Sequence, residues 1–162
     1  MKTWITSVGI SHHAVVNTLW AAVAEKQWIP ERIYILTTDR TGEDTAAISK
    51  RMEAIVLQYG GKGPDFRVRT FDETDLEELF RLYTVIIEKE TKEGNEISVD
   101  ITPGRKSMSV FALYGSLTHR ENVRNIFYFH LLDDDFMDRF YPFLPVNTFR
   151  LRNLMDFKGA IP

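Results

Sequence analysis

The chain has 162 residues, of which 44% are hydrophobic and 27% charged, a composition typical of one folded domain with a sizeable core. The 20 basic residues against 23 acidic ones give a formal net charge of −3, which excludes the broad positive field that holds long DNA or RNA. The chain has no cysteine, so disulfides, thiolate nucleophiles and cysteine-ligated zinc are excluded together.

No apolar run approaches the roughly 20 residues that a membrane helix needs. The N-terminal stretch MKTWITSVGI also lacks the long apolar region and small-residue cleavage site of a secretory signal. We therefore expect a cytoplasmic protein whose partners include neither a membrane nor a long nucleic acid.

The first half of the chain alternates strand and helix patterns. Residues 4–10 predict a first strand, residues 11–13 a loop, and the apolar spacing from Val15 a helix. Residues 32–38 predict a second strand, which ends at the polar pair Thr38 and Asp39. Residues 41–44, Thr-Gly-Glu-Asp, are typical of a capping box, and they precede a helix with the apolar face Ile48, Met52, Ile55 and Tyr59.

The second half continues the alternation. A turn over 60–64 leads into a strand over 66–71 and then into an amphipathic helix running to about Glu90, with Asp72 and Asp75 as candidate caps. The charged residues 88–90 are most simply the solvated end of that helix. The remaining elements are a strand over 96–101, a helix containing Met108 and Ala112, a strand over 125–132, and an irregular segment over 132–162 with an edge strand at 148–154.

This alternation predicts an α/β, Rossmann-like fold over residues 1–162, with a mostly parallel sheet of about six strands and helices on both faces. For the usual strand order 3-2-1-4-5, ligands bind at the carboxyl ends of the first and fourth strands. Residues 9–13 and 102–107 would meet there, with Thr38 and Asp39 at the flank.

The stretch after the fourth strand, VDITPGRKSMS at 99–109, predicts a phosphate site. A glycine turn between a strand and a helix leaves the first N–H groups of the helix unpaired, and the helix dipole favours an anion there. Gly104 lets the backbone approach a ligand closely, and Lys106 adds a full positive charge. The same residues also fit an ordinary helix start, with Thr102 as N-cap and Pro103 at the first helical position.

Two motifs resemble the signatures of the CRISPR-associated Rossmann-fold (CARF) domain. The first is the initial strand running into Ser-Val-Gly-Ile-Ser at 7–11. The second is Asp-x-Thr-x-Gly-x-Lys-x-Met, formed by Asp100, Thr102, Gly104, Lys106 and Met108. The motifs, their separation and the order of strands and helices resemble the pattern of this family over most of the chain. The sequence departs from the family at His12 and His13, where proline or a small residue is frequent, and at Pro103, which replaces one of two frequent glycines.

The resemblance implies a homodimer whose two pockets merge across a twofold axis and bind a cyclic oligoadenylate, the second messenger of type III CRISPR systems. Cyclic tetra-adenylate is the commonest such ligand. By position, Ser11 and Lys106 match the family residues that hold phosphate and ribose. The full set of ligand-binding residues predicted here is Gly9, Ile10, Ser11, Thr38, Asp39, Thr102, Pro103, Gly104, Arg105, Lys106 and Ser107.

Many members of this family carry a nuclease or winged-helix effector, and from the length of 162 residues we expect none here. The chain therefore resembles the ring nucleases, in which a ribose 2′-OH attacks the adjacent phosphate and leaves a 2′,3′-cyclic phosphate end. We expect no metal and no other cofactor. The predicted catalytic residues are Lys106 for charge stabilisation, Ser11 for orientation, and His12 or His13 as general acid or base.

Other interpretations of these residues remain open. Lys106 also fits a solvated first-turn lysine, Ser11 an N-cap, and the two histidines a structural role. For the whole chain, the alternatives are a non-catalytic sensor domain of a larger effector or regulator and, more distantly, a Rossmann enzyme acting on a mononucleotide or phosphosugar. No Gly-x-Gly-x-x-Gly motif follows the first strand, which argues against dinucleotide binding.

Overall fold

The computed structural model describes residues 1–157, so the last five residues of the predicted C-terminal segment lie outside the described residues. The strands are β1 (Lys2–Ser7), β2 (Arg32–Thr37), β3 (Asp65–Thr70), β4 (Glu96–Asp100), β5 (Val123–Leu131) and β6 (Phe149–Asn153). The α-helices are α1 (His12–Lys26), α2 (Thr45–Gln58), α3 (Leu76–Lys92) and α4 (Lys106–Thr118). None of the helices described is long and apolar enough to cross a membrane.

The strands form one sheet in the order β3-β2-β1-β4-β5-β6. All neighbouring pairs are parallel except β5 and β6, which run antiparallel. The predicted α/β, Rossmann-like fold with a mostly parallel sheet is therefore confirmed. The winding direction reverses between β1 and β4, and in such sheets a crevice opens beyond the carboxyl ends of those two strands.

The sheet has an apolar core on each face because successive side chains of a strand point to opposite sides. Trp4 and Ile33 lie in the core that includes residues of α1 and α2. Their neighbours Ile5 and Tyr34 lie in the core that includes residues of α3 and α4. Helices thus cover both faces, as the alternation of elements predicts.

Three helix starts differ from the sequence-based prediction. α1 begins at His12, so His12 and His13 lie in its first turn and not in a loop. α4 begins at Lys106, so Thr102 and Pro103 lie in the preceding loop; the Thr102 hydroxyl accepts the Phe129 N–H at 2.8 Å and ties that loop to β5. The expected capping box at 41–44 is also wrong, because the Thr41 hydroxyl does not cap a helix. It lies 2.9 Å from the Thr37 hydroxyl oxygen.

Glu88 and Lys89 are exposed, as expected of a solvated helix end, but Glu90 of the same run is not. Its side chain is fully buried, because the last turns of α3 lie over the amino-terminal end of the sheet. The carboxylate accepts hydrogen bonds from Thr3, Tyr34, Arg32 and Asn95. Burial opposes its charge, but these four hydrogen bonds outweigh burial and lower the pKa of Glu90.

Candidate functional site

A cavity of about 350 Å³ opens at the carboxyl ends of β1 and β4, where the predicted crevice lies. This volume is at the small end of the roughly 300–1,000 Å³ that ligand pockets occupy. Its lining comes from four loops and the helix starts that follow them. The lining residues are Val8, Gly9, Ile10, Ser11, Ala14, Thr38, Arg40, Thr41, Glu73, Thr102, Pro103, Gly104, Arg105 and Met108.

The two loops that carry the motifs meet backbone to backbone at the crevice. A Cβ atom on Gly9 would lie 2.7 Å from both the Cα and the N of Gly104, a separation that real Cβ atoms do not show. Gly104 has φ +96°, and a Cβ there would lie 2.7 Å from the Met108 sulfur. Both positions therefore require glycine: Gly9 because of the close approach, and Gly104 also because of its positive φ.

A buried carboxylate anchors the loop after β4. Asp100 is fully buried; it accepts the Thr102 N–H at 2.9 Å and the Thr6 hydroxyl at 3.0 Å. Beside it, the Ser7 hydroxyl donates to the Pro103 carbonyl at 3.1 Å. Burial raises the pKa of Asp100 from its ordinary value of 3.8 to about 7, although the hydrogen bonds from Thr102 and Thr6 act in the opposite direction.

Ser11 lies in the crevice and also caps α1. Its hydroxyl oxygen accepts the Ala14 N–H at 3.3 Å, as an N-cap serine does. A hydroxyl that accepts a hydrogen bond can still donate its own hydrogen. Ser11 can therefore serve the helix and a ligand at the same time.

The first turn of α4 brings positive charge to the crevice. Arg105, the N-cap residue, lines the crevice, and its Nε forms an ion pair with Oε1 of Glu73. Lys106 and Ser107 follow directly but do not line the cavity. Lys106 is exposed, and it makes no ion pair with any residue in 1–157. It can therefore reach a ligand that extends out of the crevice.

The structure does not bring His12 or His13 to the crevice, which corrects the expectation that they stand at its mouth. Nε2 of His12 lies 2.9 Å from Oδ2 of Asp44, just before α2. The ring of His13 packs against that of Phe140, with 4.3 Å between the centroids. Neither residue is among those that line the cavity. Within residues 1–157, no group of three or more His, Asp or Glu side chains is placed to hold a metal ion.

Asp39 lies in a second cavity beside the crevice, lined by residues of the loops after β2 and β3. Thr38, Arg40 and Glu73 line both cavities. Arg40 and Glu73 were missed in the sequence. The signal that could have found them is the strand order, because the loops after β2 and β3 open at the same edge of the sheet as the two motifs.

No protein-family model and no curated protein matches the chain in sequence. Solved structures do match it in fold. Can2 from Sulfobacillus thermosulfidooxidans, in complex with cyclic tetra-adenylate, superposes with a TM-score of 0.58 at 19% identity, over 83% of this chain and 33% of Can2. Csm6 from Enterococcus italicus, bound to cyclic hexa-2′-fluoro-hexa-dAMP, superposes with a TM-score of 0.59 at 14% identity, over 79% of this chain and 33% of Csm6.

A type III CRISPR defence DNA nuclease activated by cyclic oligoadenylate gives a TM-score of 0.55 at 17% identity, over 80% of this chain and 19% of the nuclease. These proteins share its fold. At such identities the likeness establishes the architecture and no more. The chain spans a third or less of the length of each of the three proteins.

Proposed function

We propose that the chain binds cyclic tetra-adenylate at the β1–β4 crevice of a homodimer and acts in type III CRISPR antiviral signalling. One observation carries this proposal: the two motif loops meet through Gly9 and Gly104 at the start of α4, in a fold shared with two structures that hold a cyclic oligoadenylate or its analogue. The sequence motifs and the structural likeness support the same ligand class.

The chemistry of the crevice suits a phosphate diester. The first N–H groups of an α-helix have no partner within the helix, so the start of α4 favours an anion, and Gly104 leaves the backbone before α4 uncovered by a side chain. Arg105 in the crevice, where it pairs with Glu73, and the exposed Lys106 next to it supply positive charge, and Ser11 offers a hydroxyl donor from the opposite loop. This set of donors is complementary to the anionic oxygens of a nucleotide backbone.

A dimer fits the size and symmetry of the ligand. The crevice of about 350 Å³ is at the lower limit for a drug-sized ligand, and a ring of four nucleotides is larger than such a ligand. One chain therefore covers only part of the ring. An isologous dimer presents the same crevice twice, which matches a ring with a twofold axis.

For this site we further propose a ring-opening reaction. A ribose 2′-oxygen attacks the adjacent phosphorus, the bond from phosphorus to the 5′-oxygen breaks, and the 2′-proton is transferred to the departing 5′-oxygen through solvent. Lys106 and the α4 N-terminus would stabilise the phosphorane charge, and Ser11 would orient the ribose or phosphate. Because His12 and His13 do not line the crevice, neither is assigned here as the general acid or base.

Binding without cleavage is the second candidate. The chain spans only 33%, 33% and 19% of the three proteins described above. A domain of this kind in a longer effector would transmit ligand binding to another domain. Neither His12 nor His13 lines the crevice, which favours this alternative.

The experiment is incubation of the purified chain with cyclic tetra-adenylate in a chelating buffer, with products followed by liquid chromatography and mass spectrometry. Linear di-adenylate with a cyclic phosphate end supports cleavage, whereas binding without turnover supports the sensor. The Lys106→Ala variant should lose the observed activity, and Lys50→Ala, which removes an exposed lysine of α2, should retain it. Failure to bind any cyclic oligoadenylate would overturn the proposed function.

A further inference from the structure

One carboxylate lies between the two arginines of the crevice. Oε1 of Glu73, from the loop between β3 and α3, forms an ion pair with Nε of Arg105, and its Oε2 lies 3.9 Å from Nη1 of Arg40. The Glu73 side chain is 20% exposed, against 57% for Arg105 and 74% for Arg40. All three residues line the crevice. The covered member of this group is therefore the negative one.

A carboxylate and a phosphate diester offer a guanidinium the same kind of partner. Each presents two anionic oxygens that accept charge-assisted hydrogen bonds from its planar N–H groups. A phosphate at the start of α4 would therefore compete with Glu73 for Arg105. It would also bring a second negative charge close to Glu73, which is unfavourable in a partly covered site.

The loop holds Glu73 at the crevice without help from the arginines. Oδ1 of Asp72 accepts both the N–H and the hydroxyl of Thr74 at 2.8 Å, which closes a tight turn around Glu73. Oε2 of Glu78, on the first turns of α3, accepts the Asp72 N–H at 2.8 Å. A Glu73 carboxylate released from Arg105 would therefore stay near the crevice and keep repelling anions.

We propose that Glu73 is a displaceable carboxylate: it occupies Arg105 in the free protein, and an anionic ligand takes its place. For the identity of the natural ligand this inference rests on the proposed function, whereas the exchange itself requires only an anion. An anion that contacts Arg105 alone gains little over the ion pair it replaces. A ring that also contacts Gly104 and Lys106 has further contacts to offset the loss of that ion pair.

The test compares Glu73→Gln with Glu77→Gln, which removes the same charge from an 87% exposed side chain that pairs with Arg81. Isothermal titration calorimetry measures the affinity of each protein for cyclic tetra-adenylate and, separately, for inorganic pyrophosphate. We expect Glu73→Gln to bind both about tenfold more tightly than the unaltered protein. Glu77→Gln should stay within about twofold, as for other exposed charges. Glu73→Ala repeats the removal of charge with a different side chain.

Unchanged or weaker binding of both probes by the two Glu73 variants would overturn the inference, because Glu73 would then position Arg105 or contact the ligand directly. Tighter binding of pyrophosphate but weaker binding of the ring would overturn the role of Glu73 in ring binding. If no variant binds the ring while Glu73→Gln binds pyrophosphate more tightly, the carboxylate exchange stands and the proposed function fails.

Discussion

Replacing Glu90 with glutamine should destabilise the fold at the end of the sheet opposite the crevice. Oε2 of Glu90 accepts Thr3 Oγ1 at 2.7 Å and Asn95 Nδ2 at 2.8 Å. Oε1 accepts the Tyr34 hydroxyl and Arg32 Nη1, both at 2.8 Å. Glutamine keeps the shape but has one acceptor oxygen, so in either orientation its NH₂ group faces two donors.

The size of this loss of stability depends on which of the four donors can find another hydrogen-bond partner. The hydroxyls of Thr3 and Tyr34 can rotate to accept a hydrogen bond, and Arg32 keeps an ion pair to Glu93 at 2.8 Å. Breaking a buried ion pair costs about 3–5 kcal/mol, and leaving one buried donor unpaired about 1–3 kcal/mol. With partial adaptation we expect a loss of about 2–4 kcal/mol in the free energy of unfolding. Glu93→Gln is the control, with a loss of about 1 kcal/mol or less, because that carboxylate is 40% exposed.

Urea unfolding followed by circular dichroism at several pH values is the assay. The lowered pKa of Glu90 means that its stabilisation is present above the unfolded-state pKa of roughly 4.3. That stabilisation is lost as the pH falls through the lower pKa of the folded state. The difference in the free energy of unfolding between the unaltered protein and Glu90→Gln should therefore be largest at pH 7 and shrink below about pH 4. Equal stability of Glu90→Gln and Glu93→Gln at pH 7, or a difference that grows on acidification, would refute the reasoning.

Three further changes test the crevice. Gly9→Ala should cost about 1–3 kcal/mol in urea unfolding, because its Cβ would overlap Gly104. Gly42→Ala should cost much less, because a Cβ added at Gly42 would meet no atom within 4 Å apart from its chain neighbours. Equal losses of stability for the two variants would contradict the close approach of Gly9 to Gly104. Ser11→Ala should lower the ligand-free unfolding free energy by about 1 kcal/mol, and no loss would mean that the hydroxyl does not cap α1. For Asp100 the folded-state pKa of about 7 lies above the unfolded one, so its stabilisation is present at low pH and lost as the pH rises. Relative to Asp100→Asn, the unaltered protein should lose up to roughly 1.4 kcal/mol per pH unit between pH 4 and 7, and a constant difference would be contrary evidence.

The sheet and the place of the crevice follow from local patterns. Runs of β-branched residues predict strands, and apolar residues at helical spacing predict helices and their buried faces. The strand order then brings the residues after β1 and β4 together at one edge of the sheet. Gly9, Ser11 and Gly104 were found in this way. The sequence places His12 and His13 in a loop because the apolar periodicity begins only at Val15, three residues after α1 begins at His12.

Polar residues whose partners are distant in sequence were not predictable from local patterns. Glu73 lies in a polar segment that resembles a helix cap, and its pairing with Arg105 depends on two loops meeting at one edge of the sheet. Glu90 stands in a charged run, which is the usual signature of a solvated helix end. Its burial depends on Arg32 and Tyr34 of β2, which the sequence around α3 does not reveal.

The central claim is that two copies of this chain enclose one cyclic oligoadenylate at the β1–β4 crevice. Titration of cyclic tetra-adenylate into the unaltered chain by calorimetry, with the mass of the complex taken by analytical ultracentrifugation, tests it directly. The account predicts saturation at one ring for two chains, in a complex with the mass of a dimer and one ring. Saturation at one ring per single chain in a monomeric complex, or no binding, would contradict it.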